Sequence, residues 1–185
     1  MHSFTGSPDD GARPGGGVIF DQSGNLYLTT GFGGANDSGT VYQLSPPFYY
    51  GSILYSFQGG SDGAGPAGGV IFDQSGNLYG ATTTGGSGGG GTVFELTPSG
   101  SGWTFTLIYS FTGGAYCGPR GNLVMDGAGN LYGTTRCDGT YNQGSVFKLT
   151  PSSGGWTESD LYDFTGGSDG GSPFSKVVID ANGNL

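Results

Sequence analysis

Asp73-Gln74-Ser75-Gly76-Asn77-Leu78-Tyr79-Gly80-Ala81-Thr82-Thr83 decides how this 185-residue chain is read, because the stretch recurs. Gly-Asn-Leu stands at Gly24-Asn25-Leu26, Gly76-Asn77-Leu78, Gly129-Asn130-Leu131 and Gly183-Asn184-Leu185, at intervals of 52, 53 and 54 residues. A second marker keeps the same phase: Leu54-Tyr55-Ser56-Phe57, Ile108-Tyr109-Ser110-Phe111 and Leu161-Tyr162-Asp163-Phe164. A third does too: Thr40-Val41-Tyr42-Gln43-Leu44, Thr92-Val93-Phe94-Glu95-Leu96 and Ser145-Val146-Phe147-Lys148-Leu149. Three markers in one phase make a tandem repeat. Its units run near 4–57, 58–111 and 112–164, with a partial unit at 165–185, in one continuous region over 1–185.

Each unit carries four short runs rich in β-branched and aromatic residues, bounded by Gly, Pro, Asn or Ser. In the second unit they are Gly69 to Asp73, Leu78 to Thr83, Thr92 to Thr97 and Trp103 to Phe111. The first two are joined by Asp73-Gln74-Ser75-Gly76-Asn77, which predicts a type I turn closed by a glycine at positive φ. Asp73 caps that turn, and Asp21, Asp126 and Asp180 stand in the same place, with Gly24, Gly76 and Gly129 as the closing glycines. Pro98 is expected to end the third strand by removing a ladder donor. No segment holds a 3.6-residue period long enough for a helix.

Four antiparallel strands every 52 to 54 residues is the pattern of a β-propeller blade. A β-solenoid is the alternative, but its coils are shorter and lack hairpins. The fold class is therefore all-β: four-stranded antiparallel blades, with about three and a half of them present. A closed propeller needs about 4 to 8 blades. The chain is thus expected to be part of a longer array, or to associate as a homodimer that closes the ring.

Glycine supplies 43 of the 185 residues and proline 9. Without a repeat, that share would signal disorder; within one, it measures turn density. The run Gly88-Gly89-Gly90-Gly91 is longer than a turn requires and is expected to be mobile. Net charge is -9, and the five cations, Arg13, Arg120, Arg136, Lys148 and Lys176, form no stripe along the sequence, so nucleic acid is disfavoured as a partner. No apolar run is long enough to insert into a membrane.

Gly76-Asn77-Leu78-Tyr79-Gly80-Ala81-Thr82-Thr83, then a Gly-rich loop and Gly91-Thr92-Val93-Phe94-Glu95-Leu96-Thr97-Pro98, resembles the GloVer-type tandem repeat of choice-of-anchor bacterial proteins. The Asp-x-x-Gly-Asn-Leu-Tyr element is also similar to NHL-type propeller repeats. Leu28 departs from the pattern where Gly80 and Gly133 stand, and Ala81 where a Thr is usual. The resemblance implies a secreted or cell-surface protein whose signal and anchor lie outside this chain. It carries no activity.

The residue-level chemistry is sparse. Cys117 and Cys137 fall in two loops that emerge on one face of a propeller unit, so a disulfide is expected, against two free thiols in a reducing compartment. Asp10, Asp62 and Asp169 open equivalent Asp-Gly-x-x-Pro loops, with Ala115 in the aspartate's place in the third unit. They are either a ring of ligand-binding carboxylates or Asx turns; too few oxygens surround them for a calcium loop. Trp103 and Trp156 begin outer strands, where they either stack on sugar rings or pack on the blade edge. The one histidine, His2, leaves Ser-His-Asp and Cys-His systems without a base, and two cysteines with one histidine make a poor zinc set. Neither metal nor cofactor is expected. The chain reads as a non-catalytic scaffold or binding module for glycan or protein at its loop face. The alternative is a piece of a propeller enzyme acting on polysaccharide.

Overall fold

The structure, a computed structural model, describes residues 2–100 and 102–185. No helix forms among them. The first sheet holds β1 (Gly11–Phe20), β2 (Leu26–Gly33), β3 (Thr40–Ser45) and β4 (Tyr50–Ser56). The second holds β5 (Ile71–Phe72), β6 (Leu78–Ala81), β7 (Thr92–Ser99) and β8 (Gly102–Ser110). The third holds β9 (Val124–Met125), β10 (Leu131–Thr135), β11 (Ser145–Ser152) and β12 (Gly155–Asp163). All three are antiparallel, in chain order, and open at both edges.

The turn between the first two strands is written in side-chain chemistry. Asp73 Oδ1 accepts the N–H groups of Ser75 at 2.8 Å and Asn77 at 2.9 Å, and its Oδ2 accepts Asn77 Nδ2 at 2.8 Å. Gly76 closes the turn at φ 85°. The same bonds recur at Asp21 and Asp126. They recur at Asp180 as well, although residues 165–185 form no strand. Local hydrogen bonding therefore closes this turn without a ladder to support it.

The core lies between sheets. Phe57, just beyond β4, leaves the first sheet and packs against Phe94 of β7 with ring centroids 5.2 Å apart; both are fully buried. Phe111 repeats this against Phe147 of β11 at 4.9 Å. Each exit is pinned: Phe57 N–H donates to Gly39 O at 3.0 Å, and Phe111 N–H to Gly91 O at 3.0 Å. Val70, Leu78 and Leu96 fill the rest of one core, and Leu123, Leu131 and Leu149 the rest of the other. On the third sheet Tyr162 is 48% exposed, uncovered where Tyr55 is stacked on Phe105.

One departure from the repeat is compensated. A Cβ on Gly80 would sit 2.5 Å from the Phe94 ring, and one on Gly133 2.6 Å from Phe147. The first sheet has Leu28 at this place. There the third-strand aromatic is Tyr42, which occupies the space that a side chain on Gly51 would need. Gly51 pairs with Leu44 where Phe105 pairs with Leu96 and Glu158 with Leu149. Leucine, shifted tyrosine and glycine thus fill together the volume that glycine, phenylalanine and a larger residue fill elsewhere.

Three expectations are corrected. β5 covers two residues rather than Gly69 to Asp73, because Gly69 N–H bonds Asn122 Oδ1 of the next unit at 2.9 Å rather than its own ladder. β7 runs through Pro98 to Ser99, paired as Pro98↔Trp103 and Ser99↔Gly102. β6 begins at Leu78, opposite Leu96, so on that side Pro98 lies beyond the ladder and its missing donor forfeits no bond to β6. The Gly88–Gly91 run is pinned: Gly90 N–H bonds Phe111 O at 3.1 Å, and a Cβ on Gly90 would meet that oxygen at 2.8 Å. Its length serves a close backbone approach.

Gly80→Leu is expected to cost about 1–3 kcal/mol by overpacking. In a Phe94→Ala background the same change should cost less, and equal costs in both backgrounds under urea denaturation would refute the packing account.

Candidate functional site

The Asp-Gly-x-x-Pro loops lie where each outer strand hands over to the next sheet. Asp62 Oδ2 accepts the Tyr55 hydroxyl at 2.9 Å and the Gln58 N–H at 2.9 Å. Asp169 accepts the Tyr162 hydroxyl and the Thr165 N–H, each at 2.9 Å. Asp10 accepts Thr5 N–H and Gly11 N–H, each at 2.8 Å, and lies 3.2 Å from His2 Nε2. Asp10 and Asp62 are only 6% and 8% exposed. Burial would raise the Asp10 carboxyl, but hydrogen bonds led by the Thr5 N–H hold it down to about 2. Bonds from the Thr165 hydroxyl and N–H hold Asp169 at about 2.

In the third unit Ala115 stands in the aspartate's place, and the Tyr109 hydroxyl turns to Glu158 at 3.3 Å. A covalent link lies close by. Cys117 and Cys137 form a disulfide with Cα atoms 4.6 Å apart. Arg136 and Cys137 donate to Cys117 O as Thr83 and Thr84 donate to Ala64 O, so the link spans the place of the Ala64↔Thr84 bridge.

The tryptophans sit at the other end of the strands. Trp103 packs edge-on against Tyr27 at 6.2 Å and Trp156 against Tyr79 at 6.3 Å. Trp156 also lines a cleft of about 340 Å³ beside the Asp73 and Asp126 turns. Asp10, Asp62 and Asp169 are therefore not brought together with Trp103 and Trp156. Among the described residues, no group of three or more His, Cys, Asp or Glu is placed to hold a metal ion.

On the connection face lies a larger cavity, of about 460 Å³, walled by Arg13, Phe32, Asp37, Gly65, Tyr116 and Arg120 among others. Three successive units contribute to it. The Arg13 guanidinium lies over the Phe32 ring, 4.7 Å from its centroid. Arg120 and Arg136 both approach the Phe174 ring, at 5.5 Å each. Burial, then the Arg136 charge, push the Arg120 guanidinium below its ordinary value. Its Nε is buried without an acceptor, while a terminal nitrogen donates to Tyr116 O at 3.4 Å. Asp37 Oδ1 is held by the Gly33 N–H at 2.8 Å. Among the described residues no lysine or arginine lies within 4.0 Å of a carboxylate.

Sequence reasoning missed this site because Arg13 and Arg120 are far apart along the chain. A family model described as the Gloeobacter/Verrucomicrobia repeat matches residues 1–185. The chain belongs to that repeat family. No curated protein matches it. Comparing copies of the Gloeobacter/Verrucomicrobia repeat within the chain supplies the signal that was overlooked. Arg13 stands where the second unit has Gly65, and Arg120 where it has Ala67, each counted from the loop proline.

The turn aspartates of the Gloeobacter/Verrucomicrobia repeat tie its stability to pH. Burial would raise Asp126, but bonds from Asn130, Tyr132 and Ala128 outweigh it and hold the carboxyl at about 2; Asp21 and Asp73 are lowered likewise. A carboxyl lowered in the folded state adds stability above its unfolded pKa of about 3.9, and that stability is lost as pH falls toward the folded value. Asp126→Ala should cost about 1–2 kcal/mol at neutral pH by leaving N–H groups unpaired. In urea titrations the gap to the parent should narrow between pH 4 and pH 2; a constant gap would contradict the assignment. Replacing both cysteines by serine should cost roughly 3 kcal/mol in the chain-entropy account of a closed loop of this size. Unreduced peptide mass spectrometry should recover Cys117 linked to Cys137.

Proposed function

We propose that this chain is an extracytoplasmic, non-catalytic β-propeller repeat module that binds a ligand, glycan or protein, in the cavity on its connection face. The observation that carries the reading is the cavity itself: about 460 Å³, built by three successive units, with Phe32 43% and Tyr116 60% exposed at its walls. That volume falls in the range of small-ligand sites, about 300–1,000 Å³.

The propeller arrangement is supported by the order of contacts. Outer strand β8 touches both β4 and β12, so the sheets follow one another face to face. At the inner edge, Gly16 closes on Gly69, Gly68 on Gly121, and Gly121 on Ser175, so close that no side chain would fit between them. First strands converging on an axis produce such contacts. The disulfide supports an oxidising compartment. The absence of catalysis is inferred from the wall: Asp37 is its one carboxylate, whereas glycoside hydrolysis ordinarily uses two.

A polysaccharide-cleaving enzyme has one observation in its favour. Burial, then the Asp160 charge, push the Glu158 carboxyl up, the direction a general acid requires. Glu158 sits on outer strand β12, facing Tyr109, and does not line the cavity.

A glycan array probed with the whole protein, followed by a reducing-end assay on every hit, tests the reading. Retention of a glycan without release of reducing ends is the expected result. Release of reducing ends would overturn it in favour of the enzyme.

A further inference from the structure

We propose that the connection-face cavity is a site for an acidic saccharide, with Arg13 and Arg120 taking the sugar carboxylate and Tyr116 and Phe32 lying against its ring. The inference rests on the binding-module reading and names the ligand class.

The argument begins with conformational cost. Arg13 has φ 54° and Tyr116 φ 65°, the left-handed region where Cβ crowds the following carbonyl oxygen and side chains are disfavoured. In the second unit the same backbone is built with glycine. Gly65 holds φ 60° before Pro66, as Arg13 does before Pro14, and Gly63 holds φ 99° before Ala64, as Tyr116 does before Cys117. Glycine adopts this region at no steric cost. Two large side chains therefore stand where the second unit has glycine, and both line one cavity; the partial fourth unit carries the small Ser172, at φ 50°, in the place of Arg13. Arg120 is a third replacement, at the place of Ala67. Among the described residues Arg13 gains only the Phe32 ring, and Arg120 only Tyr116 O and the Phe174 ring; none of the three makes an ion pair, whereas the departure at Leu28 is compensated by its neighbours.

Charge supplies the second step. The chain carries -9 overall, yet three of its five cations, Arg13, Arg120 and Arg136, gather at this face. Two guanidiniums drawn to one phenylalanine repel each other, and burial makes the Arg120 charge costlier still. An anion in the cavity relieves both. The Asp37 carboxylate does not, being held by Gly33 N–H and more than 4.0 Å from any arginine nitrogen.

Shape supplies the third. Guanidinium is a planar fork that matches a carboxylate, and stacking Arg13 on Phe32 leaves its N–H edges free in the plane. A bare anion would leave the exposed Tyr116 ring, and the part of Phe32 that Arg13 does not cover, unused. A ring with an apolar C–H face and a carboxylate at its edge engages both, which is the chemistry of a uronate.

The test uses substitutions that the chain already carries in another unit, so folding is preserved. Arg13→Gly reproduces Gly65, Arg120→Ala reproduces Ala67, and Tyr116→Gly reproduces Gly63. The probes are trigalacturonate, neutral galactotriose, and inorganic sulfate and phosphate, titrated calorimetrically against the whole protein. Trigalacturonate should bind. Arg13→Gly and Arg120→Ala should each weaken it at least tenfold and Tyr116→Gly several-fold, while thermal unfolding of Arg13→Gly stays level or rises. Sulfate or phosphate binding as tightly as trigalacturonate would reduce the site to an anion hole and overturn the saccharide. Galactotriose binding equally well, unaffected by Arg13→Gly, would overturn the acidic class yet leave the binding module standing. If the parent protein bound no glycan and no protein, both readings would fall.

Discussion

The phenylalanine that ends each outer strand holds the molecule together. A single four-stranded sheet of this repeat has no core of its own; its apolar face is buried only when the next sheet arrives. Phe57 and Phe111 make that arrival specific, because each leaves one sheet, is tied by its own N–H to a loop glycine, and inserts against the third-strand aromatic of the following sheet. Gly80 and Gly133 exist to leave room for those aromatics. Burying a phenylalanine is worth roughly 2–3 kcal/mol, more than any surface bond in the connection, so sheet order follows from this contact. The aspartate clamps and the disulfide refine it.

Much of this architecture was legible because its parts are local. The Asp-x-x-Gly-Asn turn contains its own donors and acceptors within five residues, which is why the Asp180 copy closes with no strand beside it. Strand existence follows from β-branched and aromatic runs between such turns. What failed to show was whatever a segment distant along the chain decides. The length of β5 depends on Asn122, a unit away, and the persistence of β7 past Pro98 depends on where β6 begins. The Gly88–Gly91 run looked loose because nothing in its sequence announces the backbone of Phe111 beside it. The cavity was invisible because its walls come from three units, and three of its non-glycine residues, Arg13, Asp37 and Tyr116, adopt a φ that composition does not reveal.

A tandem repeat provides its own internal control, because one fold is solved several times within one chain. Differences between copies then divide by their consequences. Leu28 is answered by Tyr42 and Gly51, so that set exchanges one packing solution for another. The loss of the aspartate at Ala115 is accompanied by the Cys117–Cys137 link, which adds a covalent tie to the neighbouring bridge that the second unit holds by hydrogen bonds alone. Both are changes that the fold repays nearby.

Arg13, Tyr116 and Arg120 belong to neither group. Arg13 and Tyr116 stand at positive φ where the second unit has glycine, Arg120 stands where it has alanine, and among the described residues no carboxylate pairs with either guanidinium. Chance surface variation would scatter such residues over four units and two ends of the strands. Here they converge on one cavity, from two different units, with exposed rings beside unpaired guanidiniums. In a protein whose other deviations are balanced within a few ångströms, an unbalanced cluster points to a partner outside the chain, and its uncompensated charge gives that partner's sign.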